Sequence, residues 1–138
     1  MATRIFTVTL QCFLDNVGND VGGESEVKTT ASIGPRNKTV GPVDLPINQR
    51  LNPPLKLVEF SSSLQGSESL KVNIVEVDDL LNPDDPIIAW RWRPSQLDSL
   101  AVNQSTGPIR YNFGFGRENP TQEPGFEGFV IVNATRVN

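Results

Sequence analysis

Glycine and proline interrupt this chain so often that few stretches are long enough to form a helix. The 138 residues include 11 glycines and 11 prolines, spread along the whole length. Inside a helix, glycine costs about 1 kcal/mol and proline about 3 kcal/mol relative to alanine. One short segment, residues 95–102, is typical of a helical connector, with Ser95 as its N-cap and Asp98 three residues on. Residues 48–54, which end in consecutive prolines, are typical of a rigid loop.

Segments in which apolar and polar residues alternate recur along the chain. In residues 5–14, for example, Phe6, Val8 and Leu10 alternate with threonine and glutamine, and a period of two predicts a strand with one buried face. The predicted strands are residues 5–14, 26–33, 55–60, 69–77, 87–93, 109–115 and 128–137. Short strands separated by turn residues predict an antiparallel β-sandwich of seven or eight strands. Its predicted core includes Phe6, Val8, Leu10, Val72, Ile74, Val130 and Val132.

The composition argues against several classes of protein. With no histidine, the chain lacks the usual zinc ligand and the usual general base near neutral pH. Its single cysteine, Cys12, forms no intrachain disulfide and is expected to be a buried apolar residue. The net charge of −4 argues against a nucleic-acid-binding protein, which needs a basic face. We therefore predict a binding or structural protein and not an enzyme.

Length and apolar pattern bear on organisation and location. A chain of 138 residues predicts one domain, spanning residues 1–138. Its apolar runs are all shorter than the roughly 20 residues of a membrane span. Residues 1–16 have no apolar core of the signal-peptide type. We expect a cytoplasmic or non-classically exported protein with no transmembrane segment, and the sequence leaves its oligomeric state open.

Two acidic segments follow predicted strands. Residues 14–23 (LDNVGNDVGG) contain aspartates among asparagines and glycines, and residues 75–88 (VEVDDLLNPDDPII) contain two aspartate doublets. Such residues are also ordinary turn formers, which need no ligand. Carboxylates this close together repel one another unless a cation offsets the repulsion, and calcium takes roughly six to eight oxygen ligands. Neither segment has EF-hand spacing, so a calcium site would need both segments at one end of the sandwich.

The order of strands and acidic segments resembles the C2 domain family, which consists of calcium-dependent phospholipid-binding β-sandwiches. The resemblance extends over about residues 5–90. In the first acidic segment, Asp15, Gly18 and Asp20 precede a predicted strand, as in the first loop of the family. In the second, Glu76 ends a predicted strand at a position where the family usually has aspartate. The resemblance implies calcium as the cofactor and an anionic partner, such as a phospholipid membrane surface, reached through calcium. The implied metal ligands are Asp15, Asp20, Glu76, Asp78, Asp84 and Asp85.

Aromatic residues support the alternative functions. Trp90 and Trp92 alternate with arginines, so both indoles lie on one face of a strand, and Tyr111, Phe113 and Phe115 share a face in the same way. Such stripes usually fill a core, but exposed tryptophan also stacks on sugars or enters membrane interfaces. A small β-sandwich lectin and a structural, self-associating protein without metal therefore stand as alternatives to the calcium-binding module.

Overall fold

The computed structural model describes residues 3–18, 24–77, 85–114, 117, 119, 121 and 125–138, with the backbone alone at residues 24, 25 and 85. These residues form eight strands: β1 Ile5–Val17, β2 Glu24–Ile33, β3 Arg36–Pro46, β4 Gln49–Gln65, β5 Leu70–Glu76, β6 Asp85–Trp92, β7 Ser105–Phe113 and β8 Glu127–Arg136. A 3₁₀ helix, Ser95–Ser99, connects β6 to β7. In the described part of the chain, no helix has the length and hydropathy that crossing a membrane requires.

Two four-stranded antiparallel sheets pack face to face. One has the strand order β4-β1-β8-β7 and the other has the order β3-β2-β5-β6. On one side of the sandwich, β4 packs against β2 and β3. On the other side, aromatic residues of β6 and β7 contact each other. The predicted antiparallel β-sandwich is confirmed, with eight strands.

Alternate residues of each strand fill the space between the sheets. Along β5, Leu70, Val72 and Ile74 are buried, while Lys71 and Asn73 are exposed. This is the pattern expected of a strand with one face on a core and one face in water. The predicted core positions are all buried, which confirms the sequence prediction: Phe6, Val8, Leu10, Val72, Ile74, Val130 and Val132. Cys12 is buried with them, as predicted.

β3 is not predicted from the sequence, because its prolines and polar residues are typical of turns. β3 is an edge strand, and its ladder with β2 contains a bulge in which Gly41 and Pro42 lie opposite Lys28. Proline is tolerated at edges and bulges, since no second strand needs its missing N–H. Gly41 has a φ of +105°, and a Cβ atom there would lie 2.6 Å from the carbonyl oxygen of Val27. The bulge therefore requires glycine.

Two predictions about local structure were wrong. Residues 49–54 belong to the edge strand β4 and not to a loop. In the β1–β4 ladder the register passes from Leu14 opposite Leu55 to Asn16 opposite Arg50, so the two prolines of this segment are not paired with β1. The helix near residue 95 ends at Ser99 and has no side-chain N-cap hydrogen bond. Its N-cap residue is Pro94 and not Ser95, and it is the short connector that was predicted.

Candidate metal-binding end of the sandwich

The segments that flank both predicted acidic loops lie at one end of the sandwich. β1, in one sheet, ends at Val17, and β2, in the other sheet, begins at Glu24. In the β2–β5 ladder, Val27 pairs with Glu76, which places the end of β5 beside the beginning of β2. The loops themselves, residues 19–23 and 78–84, lie outside the described residues. Their described flanks leave from the same end, and the placement of the loops themselves stays a prediction.

Asp15 occupies a β-bulge near the end of β1. The register between β1 and β8 passes from Leu14 opposite Gly128 to Asn16 opposite Glu127, which leaves Asp15 as an extra residue. As a result Leu14 and Asp15 are both buried, and Asp15 is 9% exposed. Bulges commonly re-aim a side chain in this way. Oδ1 of Asp15 is buried and accepts no hydrogen bond from any residue that the structure describes.

The guanidinium of Arg117, from the segment between β7 and β8, bridges Asp15 and Glu127. Its Nη1 lies 3.3 Å from Oδ2 of Asp15, and its Nη2 lies 2.8 Å from Oε2 of Glu127. Nη1 also donates to the carbonyl oxygens of Gly128, at 3.0 Å, and Phe113, at 3.5 Å. The three charged side chains are between 13% and 24% exposed. Salt therefore screens these two ion pairs less than it screens fully exposed ones.

Glu76 is the second predicted ligand whose side chain the structure describes. It continues the buried series of β5 and is 3% exposed. Its side chain therefore belongs to the face of β5 that packs toward the other sheet. Burying a carboxylate costs free energy unless hydrogen bonds or a cation compensate. Asp15 and Glu76 thus place two buried carboxylates at the end of the sandwich that both acidic segments leave.

For four predicted ligands the structure describes no side chain. Asp20, Asp78 and Asp84 lie outside the described residues, and for Asp85 the backbone alone is described, paired with Glu76. Among the residues that the structure describes, no three acidic or cysteine side chains come close enough together to hold a metal ion. The described part of the chain supplies two of the carboxylates in the predicted set and leaves the ligand set as a prediction.

Arg117 and Glu127 are not among the residues that the sequence predicts for this site. Arg117 lies 102 residues from Asp15 along the chain, and the segment around it (GFGRENP) has no motif that indicates a partner. Arg117 lies in the segment between β7 and β8, and it comes close to Asp15 of β1 because β1 and β8 are neighbours in one sheet. Local sequence patterns do not determine which strands pair, so no signal in this sequence pointed to the contact.

The aromatic residues join the two sheets along one side. Trp90 and Trp92 stack on each other on β6, and Tyr111 of β7 packs edge-on against both, with ring centroids 5.2 Å and 5.3 Å away. The three are partly buried and pack against the core. Phe113 is buried, and Phe115 lies outside the described residues. The shared face of the tryptophans is confirmed, and their rings contact each other and Tyr111.

Two solved C2 domains have a similar fold. One, described as the structure of a C2 domain, superposes with a TM-score of 0.54 and 15% identity over 96% of this chain and 99% of that chain. The C2A domain of a plant Extended Synaptotagmin 1 superposes with a TM-score of 0.56 and 9% identity over 97% of this chain and 94% of that chain. No protein-family model and no curated protein matches the sequence. The predicted C2-like fold is confirmed, and at these identities the likeness shows the fold alone.

Proposed function

We propose that this chain is a C2-like module that binds calcium at the acidic end of its sandwich, the end where Asp15 and Glu76 lie, and, through calcium, an anionic partner such as a phospholipid headgroup. The observation that carries the proposal is the pair of buried carboxylates, Asp15 and Glu76, at the end that both acidic segments leave. The C2-like fold supports a binding module and not an enzyme.

The donor chemistry fits calcium, which prefers carboxylate and other oxygen ligands. Oδ1 of Asp15 is buried and has no hydrogen-bond donor among the described residues, so a hard cation would satisfy it. The proposed ligands are Asp15, Asp20, Glu76, Asp78, Asp84 and Asp85. Bound calcium would supply positive charge to an end that otherwise repels phosphate groups. The acidic end would then attract an anionic membrane surface.

Calcium titration followed by calorimetry and thermal melting tests the metal site. Binding to the folded state alone raises stability by about 2.7 kcal/mol at a hundredfold excess over Kd. The variants Asp15→Asn and Asp78→Asn should lose most of this gain. Asp98→Asn is the control, because Asp98 is an exposed acid that pairs with Arg93 away from the acidic end. Magnesium should substitute poorly, since it requires a smaller octahedral shell.

The outcome that contradicts the calcium site is a melting temperature that millimolar calcium leaves unchanged. The anionic partner is tested by co-sedimentation with vesicles of phosphatidylcholine alone and of phosphatidylcholine mixed with phosphatidylserine. We expect sedimentation with the anionic vesicles in calcium and none in EGTA. If calcium binds but the protein stays in the supernatant with both vesicles, the metal site stands and the phospholipid partner is wrong.

A further inference from the structure

Arg117 places a positive charge against a proposed calcium ligand. Its guanidinium reaches Oδ2 of Asp15 at 3.3 Å, although Arg117 itself lies in a different segment from every proposed ligand. A guanidinium and a calcium ion both satisfy a carboxylate by offsetting its charge. The two cations would therefore compete for the same group.

The Asp15–Arg117 pair leaves Asp15 half satisfied. A strong arginine–carboxylate pair uses two parallel N–H···O bonds, one to each oxygen. Here Nη1 alone faces Asp15, and it also donates to the carbonyl oxygens of Gly128 and Phe113. The other carboxylate oxygen, Oδ1, is buried and has no hydrogen bond among the described residues. Asp15 therefore retains an unused acceptor that points to a further cationic ligand.

Arg117 keeps an ion pair even if another cation binds Asp15. Its shorter ion pair is with Glu127, at 2.8 Å, and that pair uses the other guanidinium nitrogen, Nη2. The carbonyl oxygen of Gly128 holds the guanidinium as well, at 3.0 Å. Giving up Asp15 would thus leave Arg117 paired and would not expose a buried unpaired charge.

We infer that Arg117 is a built-in competitor of calcium at Asp15 and sets the calcium affinity of this end of the sandwich. In the absence of metal the guanidinium offsets the charge of Asp15 and stabilises the folded chain. A calcium ion at Asp15 either displaces the guanidinium from Oδ2 or is repelled by it across the carboxylate, so the ion binds more weakly than the carboxylates alone would allow. This inference rests on the proposed calcium-binding function.

The test compares Arg117→Gln with the wild type and with Arg50→Gln. Arg50 is a matched control, because it also pairs with Glu127, at 3.8 Å, is 61% exposed, and forms no ion pair with Asp15 among the described residues. Both variants remove one positive charge from the same end. We expect Arg117→Gln to bind calcium about tenfold more tightly by calorimetry, which corresponds to about 1.4 kcal/mol. Arg50→Gln should change the affinity by less than about twofold, because exposed charges are screened.

Thermal melting separates competition from a merely structural role. In EGTA, Arg117→Gln should melt at a lower temperature than the wild type, while the rise that calcium produces should be larger. A structural role alone would lower the melting temperature in both conditions without tightening calcium binding. If Arg117→Gln does not fold in EGTA, Arg117→Lys is used instead. Lysine keeps the positive charge, but its single ammonium group cannot bridge Asp15 and Glu127 as the two guanidinium nitrogens do. The calcium affinity of this variant should then also exceed that of the wild type.

The outcomes distinguish this inference from the proposed function. If the wild type binds calcium and the Arg117 variant binds it equally or more weakly, the competition is refuted and the calcium site stands. If the variant binds calcium and the wild type does not, the competition is supported and the native chain is calcium-independent. If neither binds, both the calcium function and the competition are refuted. If Arg50→Gln tightens binding as much as the Arg117 variant does, general charge explains the effect and the inference fails.

Discussion

The backbone N–H of Val77 donates a hydrogen bond of 2.7 Å to the carbonyl oxygen of Glu26. This bond holds the first residue after β5 against the beginning of β2, which starts at Glu24. It therefore holds the described flank of one acidic segment beside the described flank of the other. The proposed calcium site requires flanks that leave from the same end of the sandwich, and the β2–β5 ladder provides them.

The centre of the core should be sensitive to a small cavity. Ile74 has no exposed surface and pairs with Thr29 and Ile88 in the middle of its sheet. We expect Ile74→Ala to lower the free energy of unfolding by about 2–5 kcal/mol, measured by urea denaturation. The control is Asn73→Ala on the exposed face of the same strand, which should change it by less than about 0.5 kcal/mol. Equal effects of the two variants would show that the strand faces are assigned wrongly.

A side chain at residue 128 should also be poorly tolerated. A Cβ atom on Gly128 would overlap the carbonyl oxygen of Phe13 and would lie 2.5 Å from Cζ of Phe113. Such overpacking costs about 1–3 kcal/mol, so Gly128→Ala should unfold at a lower urea concentration than the wild type. Asn133→Ala, at an exposed position of the same strand, is the control.

Because Gly128 also accepts a hydrogen bond from Arg117, the Gly128→Ala substitution tests the support of the ion pair as well. The loss of stability caused by Gly128→Ala should be larger at low ionic strength, where the Asp15–Arg117 pair contributes most. A variant as stable as the wild type would contradict the close approach of β1 and β8 at this position.

Alternation allowed the sequence to predict the inner strands and the buried positions Val72 and Ile74. It could not predict β3 or residues 49–54, because edge strands tolerate prolines and polar residues that are typical of loops. Alternation also predicts the wrong face for Asp15, since Phe13 before it is on the outward face and the bulge shifts the period by one. The contact with Arg117 depends on strand pairing across most of the chain, which no local pattern encodes.

The aromatic contacts between β6 and β7 should couple the two sheets energetically. Trp90 and Tyr111 lie 5.2 Å apart at an interplanar angle of 62°, and edge-to-face pairs of this kind contribute about 0.5–1.5 kcal/mol beyond their burial. A double-mutant cycle with Trp90→Leu and Tyr111→Leu, followed by circular dichroism in urea, should give a coupling energy in that range. A cycle between Trp90 and Phe129, which share no ring contact among the described residues, should be additive. Additivity in both cycles would contradict the role of this cluster.

The thiol of Cys12 should be unreactive in the folded protein. Burial raises the pKa of Cys12 from 9.0 to about 12, because the thiolate cannot be solvated between the sheets. The thiolate is the reactive form, so a disulfide reagent at pH 8 should modify Cys12 no faster than the chain unfolds. Labelling should become fast when urea is added. Fast labelling of the folded protein would show that Cys12 is accessible.

The same pKa shift predicts how stability depends on pH. Between pH 9 and 12 the folded chain keeps the thiol proton that the unfolded chain loses, so unfolding becomes more favourable as the pH rises. The contribution of Cys12 to the free energy of unfolding is fully present below pH 9. Between pH 9 and 12 it decreases by at most about 1.4 kcal/mol per pH unit. Cys12→Ala has no such group, so the difference in unfolding free energy between wild type and variant should shift against the wild type from pH 9 to pH 11. Parallel pH profiles for the two proteins would show that Cys12 titrates equally in the folded and unfolded states.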